Sequence, residues 1–141
     1  MFNIAPKTIE ILDIHQCPTL NKLNSFPRKC RLNTPADFTA TIASECQLSG
    51  DLIRVFAKTN GLKYPRLGLI VSKRIERLSV KRNWIKRILR EAFRTNNLFD
   101  KPNLVTMDWV IRLRRPVTQE ESAQLTTEAK ILMMQLQQCH S

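Results

Sequence analysis

The chain has no apolar run near the roughly 20 residues that a membrane-spanning helix needs. Nothing in its 141 residues repeats or collapses into low complexity. Its cysteines, Cys17, Cys30, Cys46 and Cys139, include no CxxC pair. That excludes a zinc module of the usual spacing and a dense disulfide framework, so four reduced thiols are expected. His15 near Cys17 and Cys139 beside His140 would need the two chain ends to meet, and such spacing does not suit a zinc site. Residues Met1 to Asn21 break their apolar stretch with Glu10, Asp13 and His15, unlike the basic start and continuous apolar block of a secretory signal. A cytoplasmic protein is expected. No paired carboxylates, no nucleophile with an adjacent base and no metal cluster stand out, so hydrolysis is not expected from these side chains alone. Negative charge is also scarce: 12 acids against 23 Lys and Arg leave a net charge of +11 and a pI of about 10.1. Such a balance suits a polyanionic partner, nucleic acid rather than a lipid surface.

What is present describes one ordinary domain. With 43% hydrophobic residues the chain can bury a core of its own. Residues 1–27 carry Pro6, Pro18 and Pro27 with no sustained period, and are expected to be an extension with little order. The domain is expected over 28–141. Thr34-Pro35-Ala36-Asp37 reads as a helix start, with Thr34 as N-cap and Pro35 at the first helical position, and the helix is predicted to reach about Cys46. Ile53, Val55 and Ala57 alternate with Arg54, Phe56 and Lys58, which predicts a strand with one apolar face and one basic and aromatic face. Leu48 fits a short edge strand before it. After a turn at Asn60-Gly61, Leu67 to Val71 is more continuously apolar, as expected near the centre of a sheet. A helix over 79–95 and a strand from Met107 to Leu113 follow. Thr118 and Glu121 form a capping box for a last helix with a stripe of Leu125, Ala129, Leu132 and Leu136, and Met133 and Met134 are expected to fill core beside it.

Most of the net charge comes from the stretch between Arg66 and Arg94, where ten Lys or Arg face only Glu76 and Glu91. At about 100° per residue, Arg82, Lys86, Arg87, Arg90 and Arg94 share one face of the helix, and Ile85, Ile88, Leu89 and Ala92 lie opposite. A solvated basic face is the plain alternative. Against it, few acids stand one turn away, and Lys81 and Arg82 occupy the helix start, where the dipole disfavours cations by about 0.3–1 kcal/mol each. An external anion relieves both costs, and phosphate matches the guanidinium fork. No helix-turn-helix, zinc finger or sheet-stacking RNA signature accompanies the helix.

Ser72-Lys73-Arg74, followed by Val80-Lys81-Arg82-Asn83-Trp84-Ile85-Lys86-Arg87-Ile88-Leu89-Arg90-Glu91-Ala92-Phe93-Arg94, resembles the signature of the bacterial ribonuclease P protein family. The resemblance runs from about Arg28, including Cys30-Arg31-Leu32 and Asp37-Phe38, through the last helix. It departs at Trp84, where the family has Arg, and at Ile42, where the family often has an aromatic. The resemblance implies an α/β (α+β) sandwich: a four-stranded, mainly antiparallel sheet, three helices and a left-handed βαβ crossover. It implies a protein subunit that binds a catalytic RNA through Lys73, Arg74, Lys81, Arg82 and Arg87. It also implies that Phe38, Arg54, Phe56, Asn83, Lys86 and Arg90 hold the 5′ leader of precursor tRNA. The chemistry would belong to the RNA subunit with its Mg2+, no obligate protein partner is implied, and the protein alone is expected to be inactive. A non-enzymatic basic RNA-binding protein or RNA chaperone would carry the same charge profile, and a basic DNA-binding protein is a third reading.

Overall fold

Successive apolar side chains of the Ile53–Thr59 strand enter core on opposite faces of the sheet, as their sequence alternates. In the computed structural model, which describes residues 30–62, 64–96 and 106–138, Ile53, Val55 and Ala57 are fully buried in one core cluster, while Phe56 joins Leu32 and Val110 in another. The strands are β1 (Gln47–Ser49), β2 (Ile53–Thr59), β3 (Arg66–Ile70) and β4 (Met107–Leu113). The helices are α1 (Pro35–Ile42), α2 (Ser79–Arg94) and α3 (Ser122–Gln138). The four-stranded sheet has the order β1-β2-β4-β3. Its pairs are antiparallel except β3 with β4, which run parallel and are joined in the chain through α2. This is the expected α+β architecture.

Each helix covers a defined part of the sheet. Ile85, Leu89, Ala92 and Phe93 of α2 and Leu125, Ala129, Leu132, Met133 and Leu136 of α3 pack with the main core, which contains Trp109 and Ile111 of β4. Phe38 and Ile42 of α1 pack on the opposite face, against Phe56 and Val110. Glu128 ties α3 to the start of β2 by accepting the backbone N–H groups of Asp51 (3.2 Å), Leu52 (2.8 Å) and Ile53 (2.9 Å).

Several expectations change in detail. Thr34 caps α1 through Asp37 N–H as predicted, but α1 stops at Ile42 rather than near Cys46. By then the chain is already pairing with β2: Ser44 Oγ donates to the Ala57 carbonyl at 2.7 Å, and Ala57 N–H donates to the Cys46 carbonyl at 3.0 Å. The strand expected near the sheet centre, β3, lies at one side of the sheet order. Its outer edge is met by Arg31, which bridges to Leu67, and by the Leu32 N–H, which donates to the Leu67 carbonyl at 2.9 Å. The turn before it contains Gly61 at φ 68°, a conformation that Gly adopts without steric cost. The Thr118–Glu121 capping box is present, but it opens a short 3-10 turn, Gln119–Glu121, that leads into α3. Met133 is buried, whereas Met134 is 43% exposed and is not core. Cys30 is disulfide-bonded, against the expectation of a reduced thiol, and Cys46 is not in a disulfide. Residues 1–27, with their expected lack of order, lie outside the described residues. Among the described residues, no helix is long and apolar enough to cross a membrane.

The start of α3 is held by charge. Arg115 reaches Asp51 at 2.7 Å and Glu121 at 2.8 Å. The Glu121 carboxyl is pulled down to about 2, first by its hydrogen bond from Arg115 and then by the Thr118 N–H. Because that lies below the ordinary Glu value of about 4.3, its stabilisation is complete above the ordinary value and is lost as pH falls toward about 2. The cluster is exposed to solvent, so the effect is small and weakens with salt. Glu121→Gln should therefore melt below the parent chain at pH 7, with the gap closing as pH approaches about 2. Thermal unfolding followed by circular dichroism across that range checks this, and a gap independent of pH would contradict it.

Candidate nucleic-acid interface

The ring of Phe38 lies where β3 carries no side chain. A methyl group at Gly68 would stand 2.5 Å from Phe38 Cε1 and 3.2 Å from Leu32 Cβ, so glycine is what lets the ring settle between α1 and the sheet. Phe38 stays partly exposed above Leu32, Phe56 and Val110, with Ile42 and Ile70 alongside. Phe56 itself is only 3% exposed. The expectation that it offers a ring face to a nucleotide is corrected: Phe38 and Ile42 of α1 pack over it, and it is core between α1 and the sheet. Ile42, in the place of a second helix aromatic, packs into the same cluster.

The seat of α1 is polar. Arg66 at the start of β3 donates to Asp108 of β4 through Nε (2.8 Å) and Nη2 (2.6 Å), and its Nη1 stands 3.5 Å from Asp37 of α1. Asn60 Nδ2 adds a third hydrogen bond to Asp108 at 2.9 Å. Neither Arg66 nor Asp108 was among the expected site residues. The only sequence signal for Asp108 is an acid on the polar side of a strand whose one other charged residue is Arg112.

Beside Phe38 opens a cavity of about 190 Å³ lined by Arg31, Asn33, Gly68, Lys86 and Arg90, among others. It thus brings together Phe38, Lys86 and Arg90 from the expected leader-binding set, with Asn83 exposed one turn earlier on α2. Arg31, not among the expected site residues, joins them. The Arg90 guanidinium is pushed below its ordinary pKa, first by burial and then by the positive charges of Arg31 and Arg87. Arginine remains charged at any ordinary pH, so this crowding of cations is a standing cost that a bound anion reduces.

Farther along the same face, Arg54 of β2 pairs across the sheet with Arg112 of β4. Arg54 Nε donates to Ser49 Oγ at 2.7 Å. Arg112 is exposed and lines a second cavity, about 300 Å³, with Ile70, Ser72 and Arg74. It was not an expected site residue, although its alternation with Ile111 and Leu113 placed it on the polar side of β4.

The cations expected to meet the catalytic RNA lie on the loop before α2 and on the helix itself. Lys73 and Arg74 are exposed there. The loop is braced by Glu76, only 8% exposed, whose carboxylate accepts the Leu78 N–H at 3.3 Å and faces Lys81 Nζ at 3.7 Å. Arg82 donates to the carbonyls of Glu76 (3.1 Å) and Arg77 (3.0 Å), so it shapes this loop as well as adding charge. Lys73, Arg74, Lys86, Arg87 and Arg90 form no ion pair with another described residue, whereas Arg94 is paired with Glu91. Among the described residues, no group of three or more His, Cys, Asp or Glu stands together.

The ribonuclease P family model matches residues 26–137. The chain is 36% identical over 114 residues to a ribonuclease P protein component of Nitrosomonas europaea, covering 81% of this chain and 92% of that protein. The chain belongs to the ribonuclease P protein family. A ribonuclease P protein component of Methylococcus capsulatus is 40% identical over 100 residues, which span 71% of this chain and 75% of the relative. The solved ribonuclease P protein of Thermotoga maritima superposes with a TM-score of 0.56 at 26% identity, covering 77% of this chain and 96% of that one. Ribonuclease P is an endoribonuclease of tRNA processing, and membership gives this chain the role of its protein component.

Two measurements test the geometry of this ribonuclease P protein. Gly68→Ala should force the Phe38 ring from its seat and lower stability by about 1–3 kcal/mol, the usual cost of overpacking. An unchanged denaturation midpoint would mean that the ring swings aside freely. Arg87→Ala should leave the fold intact, weaken RNA binding, and reduce the slope of log affinity against log salt by about 0.7–0.9 for each phosphate that is no longer neutralised. An unchanged slope and affinity would leave Arg87 as a solvated cation.

Proposed function

We propose that this chain binds ribonuclease P RNA through Lys73, Arg74, Lys81, Arg82 and Arg87, and holds the 5′ leader of precursor tRNA in the cleft between α1 and the sheet. In doing so it promotes endonucleolytic removal of the leader. The observation that carries this reading is the cavity in which the half-open ring of Phe38 lies beside Arg31, Lys86 and Arg90. A ring face and neighbouring cations suit an unpaired nucleotide strand, because every base has a π-face and every linkage a negative charge. Such contacts carry little base specificity, which fits a subunit that accepts leaders of many sequences. Arg54 and Arg112 extend the positive charge along the same sheet face, while Phe56 packs beneath Phe38 and Ile42.

The chain's residues bind and orient; they do not cut. Magnesium held mainly by the RNA subunit supplies activation of the attacking water and stabilisation of the leaving oxygen. The complex is expected to work in the cytoplasm.

Reconstitution tests the reading. The purified chain should restore precursor-tRNA cleavage to ribonuclease P RNA at low magnesium, and should show none by itself. RNA binding without restored cleavage would favour a non-enzymatic RNA-binding protein. Within the complex, Phe38→Ala should weaken binding of leader-bearing precursor tRNA by about 1–3 kcal/mol, the range for removal of one base–aromatic stack. Mature tRNA and the affinity for ribonuclease P RNA should be nearly unaffected. Equal losses for mature and precursor tRNA would make Phe38 a packing residue only.

A further inference from the structure

Trp84 has two environments at once. It packs against the main core beneath α2, and it also borders open surface on two sides. One groove, of about 470 Å³, is shared with Leu78, Val80, Lys81 and Gln119. A second, of about 360 Å³, is shared with Arg87, Ile88 and Thr126. Leu78 is 65% exposed and Val80 is 80% exposed, although large apolar side chains seldom stand so open together without a partner. Cations border this apolar ground: Lys81 lines the first groove, Arg87 lines the second beside Glu91, whose charge is paired with Arg94, and exposed Arg77 directly precedes Leu78.

An apolar platform set among cations suits a ligand with a flat apolar part and an attached negative charge. An unpaired nucleotide has both: its base offers a π-face to the indole, and its phosphates meet ammonium and guanidinium groups. An apolar protein segment would satisfy Leu78 and Val80 but would carry no obligatory negative charge, so charge complementarity favours RNA. Trp84 also stands where the family signature has Arg, which makes the platform a property of this chain.

We propose that Trp84, with Leu78 and Val80, forms a stacking site for one unpaired base of ribonuclease P RNA, and that Lys81 and Arg87 hold the flanking phosphates. This rests on the reading above that the outer side of α2 meets that RNA. The site adds a shape requirement to a surface otherwise governed by charge: it needs a base free of its helix.

The chain has two tryptophans, and Trp109 is fully buried, so emission accessible to a quencher reports Trp84. Titrating the full chain with ribonuclease P RNA should quench that emission and shield it from acrylamide. Trp84→Leu should weaken binding of the RNA by about 5- to 150-fold, the effect of removing one base–aromatic stack. It should leave the salt slope unchanged, because no cation is removed. Trp84→Phe should retain most of the affinity. Unaltered emission with RNA bound, or parent-like affinity of a folded Trp84→Leu chain, would overturn the proposal. If Trp84→Leu does not fold, the emission of the parent chain decides. Failure of the parent chain itself to bind ribonuclease P RNA would overturn the wider reading, and this one with it.

Discussion

The Arg66–Asp108 pair joins the one parallel strand pair of the described sheet, with side chains that keep only 22% and 9% of their surface exposed. Losing either partner would strand a largely buried charge, which typically costs about 3–5 kcal/mol. Its reach extends beyond β3 and β4. Asn60 brings the turn after β2 to the same carboxylate, and Arg66 also faces Asp37, the residue before Phe38. Gly68, two residues beyond Arg66, provides the space into which the Phe38 ring descends. One guanidinium thus fixes the register of a strand pair and the approach of α1, and with them the width of the cleft.

Electrostatics divides the surface around that frame. Where acids are available they are used structurally: Asp108 at the sheet, Glu76 in the loop before α2, Glu128 at the β2 start, and Asp51 with Glu121 around Arg115. That leaves the cations of α2 with few internal partners. Lys86 and Arg90 turn toward Phe38 while Arg87 stands on the side of Trp84, so a single helix serves two surfaces of like charge. Their mutual repulsion is highest in the unbound protein and falls when phosphate approaches.

The helices and strands were largely legible in the sequence because each has a clear period and several have caps. Thr34 with Pro35 marks the start of α1, and the alternation from Ile53 to Lys58 separates the two sheet faces. Cations at α2 positions three and four apart announced a charged face, and the family signature distinguished its cleft side from its outer side. What stayed hidden depends on pairings between residues distant in sequence. No local pattern shows that Ala57 already pairs with Cys46 and ends α1 early, or that β3 is flanked on one side by Arg31 instead of a full strand. Phe56 looks like Phe38 in the chain, but only packing reveals that α1 covers one and leaves the other partly open. Arg31 and Arg112 enter the site for the same reason: the fold, not their neighbours in sequence, brings them there.

The sheet order has a consequence for the time at which the protein takes shape. β4 comes last among the strands in the chain, yet it lies between β2 and β3. During synthesis β3 therefore emerges without either a neighbouring strand or the support that β4 gives to the core beneath α2. Every pairing of β3 with β4 must close across the intervening α2, and such long-range closures are slow compared with helix formation. The strongly basic helix is consequently made before its sheet is complete, and a nascent chain carries its phosphate-seeking segment ahead of the scaffold that aims it.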